Sequence, residues 1–320
     1  MVNRIIILTI INFLIIAFCN QTFSQNTRKK EILWTTDWSP NGKFIAVGGN
    51  IDTLKVYNKR NFKLYKSFDI KNTITRVKWH PTKNILAVTT QMSGDKSRII
   101  NLETNQKIVL DEISTEGARG VDWNNTGEYL AVADNDGHIL IYNIKGELLR
   151  KFSNESTKSI TSIDWHPQKD IITTVADKIR FYDIEGNLLK SIKHRPEEVM
   201  LMSINWHKSG SFFVTGDYGD DKNKSLLQYW DKNGNLLKSI DISKGEYRNL
   251  NWNSKGDRLA TASDALRIWD TNGNLISEGK SIDYLWGVSW NKTGTRIMTS
   301  SMEQKIILWN NKAEKISTLE

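Results

Sequence analysis

Ile74-Thr-Arg-Val-Lys-Trp79 alternates apolar and polar residues and stops at a His-Pro turn; Ile85-Leu-Ala-Val-Thr-Thr90 and Arg98-Ile-Ile-Asn101 follow as two further apolar runs. The same order returns as Arg258-Leu-Ala-Thr-Ala-Ser263, Leu266-Arg-Ile-Trp-Asp270, a turn at Thr271-Asn-Gly-Asn274, and Leu275-Ile-Ser277. Runs of about five residues broken by Gly and Asn turns predict short antiparallel strands, four to a unit. No segment beyond residue 24 keeps a helical period long enough to compete.

The unit recurs. Trp38, Trp79, Trp123, Trp165, Trp206, Trp252 and Trp290 follow one another at intervals of 38 to 46 residues, each closing an apolar stretch and opening a turn such as Trp38-Ser-Pro-Asn-Gly42 or Trp206-His-Lys-Ser-Gly210. Self-similarity at this period marks an array whose units bury their apolar faces against one another. A second turn repeats as well, in Asp183-Ile-Glu-Gly186, Asp231-Lys-Asn-Gly234 and Asp270-Thr-Asn-Gly273, where Gly supplies the positive φ of a tight hairpin. These are read as turns rather than calcium loops. Counted from Asp134, the twelfth position is Lys145, where a calcium loop needs a glutamate.

The Trp-Ser-Pro-like turn, together with the pairs Tyr57-Asn58, Tyr142-Asn143, Tyr182-Asp183, Trp230-Asp231, Trp269-Asp270 and Trp309-Asn310, resembles the WD-repeat family of β-propellers over residues 31–320. The second unit ends Ile100-Asn101 and lacks the aromatic. The resemblance implies an all-β ring of seven four-stranded antiparallel blades around a central channel. Two departures stand out. The family's Gly-His pair before the first strand of a blade is absent from all seven units, so its buried Asp-His-Ser-Trp network is not expected in its usual form; Asp136, Asp177 and Asp264 are expected to hold backbone amides directly. Residues 25–31 are too short to supply an outer strand to the last blade, so Glu314–Leu319 is expected to be that strand and the ring to close by packing.

Residues 1–24 stand apart. Met1–Arg4 is short and basic, Ile5–Phe18 is apolar but shorter than a bilayer span, and Thr22 and Ser24 are small, which predicts a signal peptide cleaved after Ser24 and no transmembrane span in the mature chain. An exported, periplasmic or extracellular propeller spanning residues 25–320 follows, as a monomer. A lipoprotein box at Ile16-Ala-Phe-Cys19 is the lesser alternative, because Phe18 stands where a small residue is expected. Cys19 is the only cysteine, so the mature chain has no disulfide, thiol nucleophile or thiolate-bound metal. The whole chain carries 44 basic and 36 acidic residues, a net +8 without a basic block of the kind that binds nucleic acid.

Catalytic chemistry finds little support. His80, His166 and His207 occupy the same turn position in different units and cannot share a metal, and His138 and His194 have no carboxylate at ligand spacing. Asp217, Asp220 and Asp221 cluster in the longest loop and read as a solvated, lysine-neutralised segment. No cofactor, metal or catalytic residue is expected. The informative positions lie four and six residues before each anchor Trp, where the units stop agreeing. With a period of two these positions emerge on one rim, the face of the d–a and b–c loops that binds partners in the resembled family. Trp34, Arg248, Tyr284 and Trp286 come from units adjacent in a closed ring and are expected side by side, with Arg119, Met200, Met202 and Glu246 extending the surface. Trp, Tyr and Arg are favoured at binding hot spots. The function expected is a non-catalytic scaffold that binds a protein or peptide; the alternative is a lactonase-like hydrolase with a cation at the channel mouth.

Overall fold

The computed structural model describes residues 31–91, 96–155 and 159–319; the expected leader, residues 1–24, lies outside them. Twenty-eight strands follow one another in seven sets of four. Blade 1 is β1 (Leu33–Trp38), β2 (Phe44–Gly49), β3 (Thr53–Asn58) and β4 (Leu64–Asp69). Blade 2 is β5 (Ile74–Trp79), β6 (Ile85–Thr90), β7 (Arg98–Asn101) and β8 (Lys107–Val109). Blade 3 is β9 (Ala118–Trp123), β10 (Tyr129–Asp134), β11 (His138–Asn143) and β12 (Leu148–Ser153). Blade 4 is β13 (Ser162–Trp165), β14 (Ile171–Val175), β15 (Ile179–Asp183) and β16 (Leu188–Ile192). Blade 5 is β17 (Leu201–Trp206), β18 (Phe212–Asp217), β19 (Leu227–Asp231) and β20 (Leu236–Ile240). Blade 6 is β21 (Asn249–Trp252), β22 (Leu259–Ala262), β23 (Ala265–Trp269) and β24 (Leu275–Lys280). Blade 7 is β25 (Leu285–Trp290), β26 (Arg296–Ser301), β27 (Ile306–Asn310) and β28 (Lys315–Leu319).

Each blade is an antiparallel meander whose strands pair in chain order. The first strands touch in succession, β1 on β5 and so on to β25, and β25 touches β1, which closes the ring. They line its axis, while fourth strands such as β12 and β16 are largely exposed. Seven apolar clusters fill the seven spaces between blades. One joins Leu54, Val56 and Phe68 to Trp79, Leu86 and Ile100; the closing one joins Trp38, Ile45 and Tyr57 to Met298, Ile306 and Leu308. No blade has a core of its own, which is why the pattern repeats as a unit but folds as a ring. As expected, β28 is the fourth strand of blade 7, and closure is by packing.

The strict period of two fails in the first strand of every blade. Leu33 pairs with Gly49 and Thr35 with Gly48, which leaves Trp34 as the extra residue of a β-bulge. The same slip skips Thr75, Arg119, Met202 and Trp286. In blades 4 and 6, Thr161 N–H and Arg248 N–H bond the carbonyls of Val175 and Ala262, the residues already opposite Ser162 and Asn249. The column four residues before the anchor Trp is therefore the bulged residue all round the ring. A bulge bends the strand and re-aims its side chain.

The third-strand turns are structural. Asp231 Oδ1 accepts the amides of Asn233 and Asn235, and Asp270 repeats the arrangement with Asn272 and Asn274. Gly234 (φ +76) has no room for a side chain, because a Cβ there would meet Ile192 Cδ1 of the preceding blade at 1.9 Å.

Candidate functional site

Below the rim the first strands are laced together by one residue position, the one before each anchor Trp. Trp79 N–H donates to Asp37 Oδ2 (2.9 Å), Trp165 N–H to Asp122 Oδ2 (3.0 Å) and Trp206 N–H to Asp164 Oδ2 (2.5 Å). Trp252, Trp290 and Trp38 donate in the same way to Asn205 Oδ1, Asn251 Oδ1 and Ser289 Oγ, the last across the ring closure. Lys78 breaks the series because an ammonium cannot accept. It reaches Asp122 Oδ1 at 3.0 Å instead. Burial works against the Lys78 charge, but Asp122, Asp164 and Asp37 outweigh it and raise its pKa. Burial, then repulsion from Asp122, raises the Asp164 carboxyl well above the ordinary range. Burial also raises Asp37, against the pull of Lys78 and three hydrogen bonds. The acids nearest the axis thus serve the scaffold, and the cavity among them is only about 50 Å³.

On the rim the structure brings four of the expected residues together. Trp34 and Trp286 lie with ring centroids 5.0 Å apart, tilted by 47°. The Arg248 guanidinium sits 3.7 Å over the Trp286 ring, a cation–π arrangement, and pairs with Glu246 at 2.5 Å. All four side chains are half-buried. Among the described residues Trp34 Nε1, which is shielded, has no hydrogen-bond partner. Tyr284 stands one cleft away. Its half-exposed ring lies over Gly245, and with Glu246, Ser243, Tyr218, Asp220 and Lys222 it lines an opening of about 350 Å³ beside the long loop of blade 5. Met200 is half-buried at the base of that loop, its carbonyl accepting Tyr218 N–H. Met202 is a correction, for it is 4% exposed and offers no surface to a partner.

Arg119 is half-buried in the β9 bulge. Burial, then repulsion from Arg248 and Arg76, lowers its guanidinium to about 9. Arg76, lowered to about 10 by burial and then Arg248, lines the central cavity. It was missed by reading only the columns four and six before the Trp, because it lies at the third.

The other expectations divide. His80, His166 and His207 do lie in the first turn of their blades, but each also ties its blade to the next. Their Nε2 atoms meet the carbonyls of Gly127, Gly210 and Gly256 at 3.1, 3.2 and 2.8 Å. In His80 and His166 the Nδ1 atom accepts a turn amide, so Nε2 carries the proton and the ring is neutral. His138 and His194 do have carboxylate neighbours: Asp134, four residues before His138 across the β10–β11 turn, at 3.1 Å, and Asp217, at the end of β18, at 3.6 Å. Blade 5 thereby assembles His194, Asp217 and a Trp230 Nε1–Thr215 Oγ1 bond of 2.9 Å without a Gly-His pair. Asp136, Asp177 and Asp264 pair with Ser114, Arg180 and Arg267, whereas backbone amides are held by the buried Asp134 and Asp217. Asp217 is therefore not part of a solvated loop, and Asp220 caps its own turn through the amides of Lys222 and Asn223. Among the described residues no group of three His, Cys, Asp or Glu is placed to hold a metal ion.

Two family models match the chain: "WDR19 first beta-propeller" over residues 34–205 and "WD domain, G-beta repeat" over residues 273–310. It is similar to a WD repeat-containing protein WDS homolog of Arabidopsis thaliana, 26% identical over 72% of this chain and 45% of that protein. It is similar to eukaryotic translation initiation factor 3 subunit I of Botryotinia fuckeliana, 28% identical over 46% of this chain and 48% of that protein. A third relative is the intraflagellar transport protein 122 homolog of Mus musculus, 27% identical over 62% of this chain and 17% of that protein. The chain thus spans less than half the length of each of these relatives. With seven consecutive four-stranded blades, a repeated Trp anchor and a family model that covers more than half of its length, the chain belongs to the WD-repeat β-propellers.

Proposed function

We propose that this propeller is a non-catalytic platform that binds a protein or peptide through the rim of its d–a and b–c loops, and that it works outside the cytoplasm after loss of residues 1–24. The observation that carries the rim assignment is the Trp34–Trp286–Arg248–Glu246 cluster. It places two half-buried indoles and a stacked guanidinium at the channel mouth, with one indole N–H shielded and unbonded among the described residues. Such aromatic and Arg groups bury large area with few rotors to immobilise. The bulges support the same reading. They interrupt the repeat at the one column that faces the mouth, so residues there are free to differ while the belt beneath holds the blades. One relative is by name a subunit of a translation initiation factor, which accords with a role in assembly. The basic start and the apolar stretch Ile5–Phe18 support export.

The test expresses the full chain with a C-terminal tag in a bacterial host and recovers partners from envelope extract with wild type and with the triple variant Trp34→Ala, Arg248→Ala, Trp286→Ala. Loss of partners from a variant that still melts cooperatively is expected, and equal recovery overturns the rim assignment. If the triple variant melts early, Tyr284→Ala with Glu246→Gln addresses the same rim at side chains that carry less of the packing. Mass spectrometry of the recovered protein is expected to show a Gln25 start; an intact Met1 overturns export.

A further inference from the structure

Three arginines occupy channel-lining positions at the start of the first strands, Arg76 three residues and Arg119 and Arg248 four residues before an anchor Trp, and only Arg248 has an ion-pair partner among the described residues. Arg248 has Glu246 at 2.5 Å and the Trp286 face at 3.7 Å. Among the described residues neither Arg119 nor Arg76 has a hydrogen-bond or ion-pair partner for its side chain. Both are half-buried; Arg248 repels each of them more strongly than Asp37 attracts Arg76 or Glu246 attracts Arg119. A guanidinium stays protonated at neutral pH even so, because it ionises far above 7. Two half-buried unpaired charges beside a third of the same sign are a cost to the fold, since like charges at short range and partial burial both disfavour the ionised form. Nothing in the packing of the blades requires them, for the equivalent positions elsewhere in the ring are filled by residues such as Thr75, Thr161 and Ser203. Costs of this kind concentrate where a ligand relieves them.

We propose that the channel mouth is a receptor for a carboxylate side chain of a partner peptide, held by Arg119 and Arg76, with the Trp34–Trp286 pair as the apolar wall beside it. This rests on the rim reading above and names the chemistry of its partner. A carboxylate accepts two parallel N–H bonds from a guanidinium, the strongest pairing open to either group. Charge complementarity favours it: Arg76, Arg119 and Arg248 stand against Glu246 and, below it, Asp37, which also accepts the Trp79 amide and attracts Lys78. The indoles give the residues flanking the acid an apolar surface, and the cleft between Tyr218 and Tyr284 extends it outward. Arg119 is the extra residue of the β9 bulge, a position at which a strand re-aims its side chain.

The experiment pans three random peptide libraries against the full-length propeller, identical except for a central residue fixed as Glu, Gln or phosphoserine. Wild type is expected to retain the Glu library at least tenfold over the Gln library, with the preference fading as NaCl rises. Arg119→Gln and Arg76→Gln are each expected to lose the Glu preference. Each is also expected to melt at or above the wild-type temperature, since removing an unpaired half-buried charge removes a cost. A lower melting temperature with the Glu preference intact overturns the proposal and makes the arginines structural. Equal retention of Glu and Gln libraries overturns the anion site and leaves the rim standing. Preference for phosphoserine with Glu at the Gln level overturns the carboxylate assignment in favour of a phosphate. Retention of every library no better than by the Trp34→Ala, Arg248→Ala, Trp286→Ala variant overturns this proposal and the rim reading together.

Discussion

At the Trp206 amide, Asp164 does with a charged group what Asn205 and Asn251 do at Trp252 and Trp290 with a neutral one. Its carboxyl is raised by burial and by Asp122. A raised native pKa means that the folded state holds the proton more tightly than the unfolded state. The resulting stability is full below about pH 3.8, the unfolded value, and is lost as pH rises through the native one. Asp164→Asn keeps an acceptor for Trp206 and removes the titration. It is expected to stabilise the protein by about 1 kcal/mol at pH 8 and by less at pH 5, as read by urea unfolding at the two pH values. A variant less stable than wild type at pH 8 would show that the carboxylate is needed by Lys78. Position by position the belt is legible in the sequence, since Asp37, Asp122, Asp164, Asn205, Asn251 and Ser289 are all acceptors one residue before a Trp. What they accept from is another blade, about forty residues away or, for Ser289, across the ring closure, and no local pattern states that.

The first turn of each blade couples neighbouring elements. His80, His166 and His207 occur only where the next blade has Gly at the fourth position after its Trp, namely Gly127, Gly210 and Gly256. At Gly127 (φ +76) a Cβ would lie 2.1 Å from His80 Nε2, so the ring occupies the space that a side chain would need. Burial lowers all three imidazoles below 6.5. A depressed native pKa leaves stability intact above about pH 6.5 and loses it as pH falls from there through the native values. The melting temperature should be flat from pH 8 to 7 and decline below 6.5. Replacing all three with Gln should flatten that decline, and an unchanged slope would place the sensitivity elsewhere. The bulges belong to the same scale. Hydrophobic alternation locates the strands β1, β5 and β17 correctly, but it carries no record of a single extra residue, because the bulge is decided by how the first strand meets its neighbour. Met202 was therefore assigned to the surface by a period that had already slipped.

Across the whole ring, closure between blades 7 and 1 uses the same parts as the other interfaces, that at Lys78 excepted: an apolar cluster, and Trp38 N–H on Ser289 Oγ at 3.1 Å. If closure is ordinary, Ser289→Ala, which removes the acceptor of Trp38 N–H and the hydroxyl that donates to Asp37 Oδ1, should cost about 1–3 kcal/mol. A circular permutant should also fold, with Leu319 joined to Ile32 by a linker as long as the 70–73 connection between β4 and β5 and new termini opened between Lys280 and Asp283. A cooperative melt within a few degrees of wild type is the expected outcome for the permutant. Its failure to fold would show that the native opening of the chain is privileged.

The number of blades, the four strands of each, the turn residues and the place of β28 were all set by patterns that repeat every forty or so residues, because each unit meets the same two neighbours and so needs the same apolar faces. The tertiary structure alone decided which unlike residues meet. Arg76, Arg119 and Arg248 come from blades 2, 3 and 6, and only closure of the ring sets their first strands around one axis. Repetition specifies a ring through contacts that are alike; the site is made of the positions that differ, and their proximity exists only once the ring has closed.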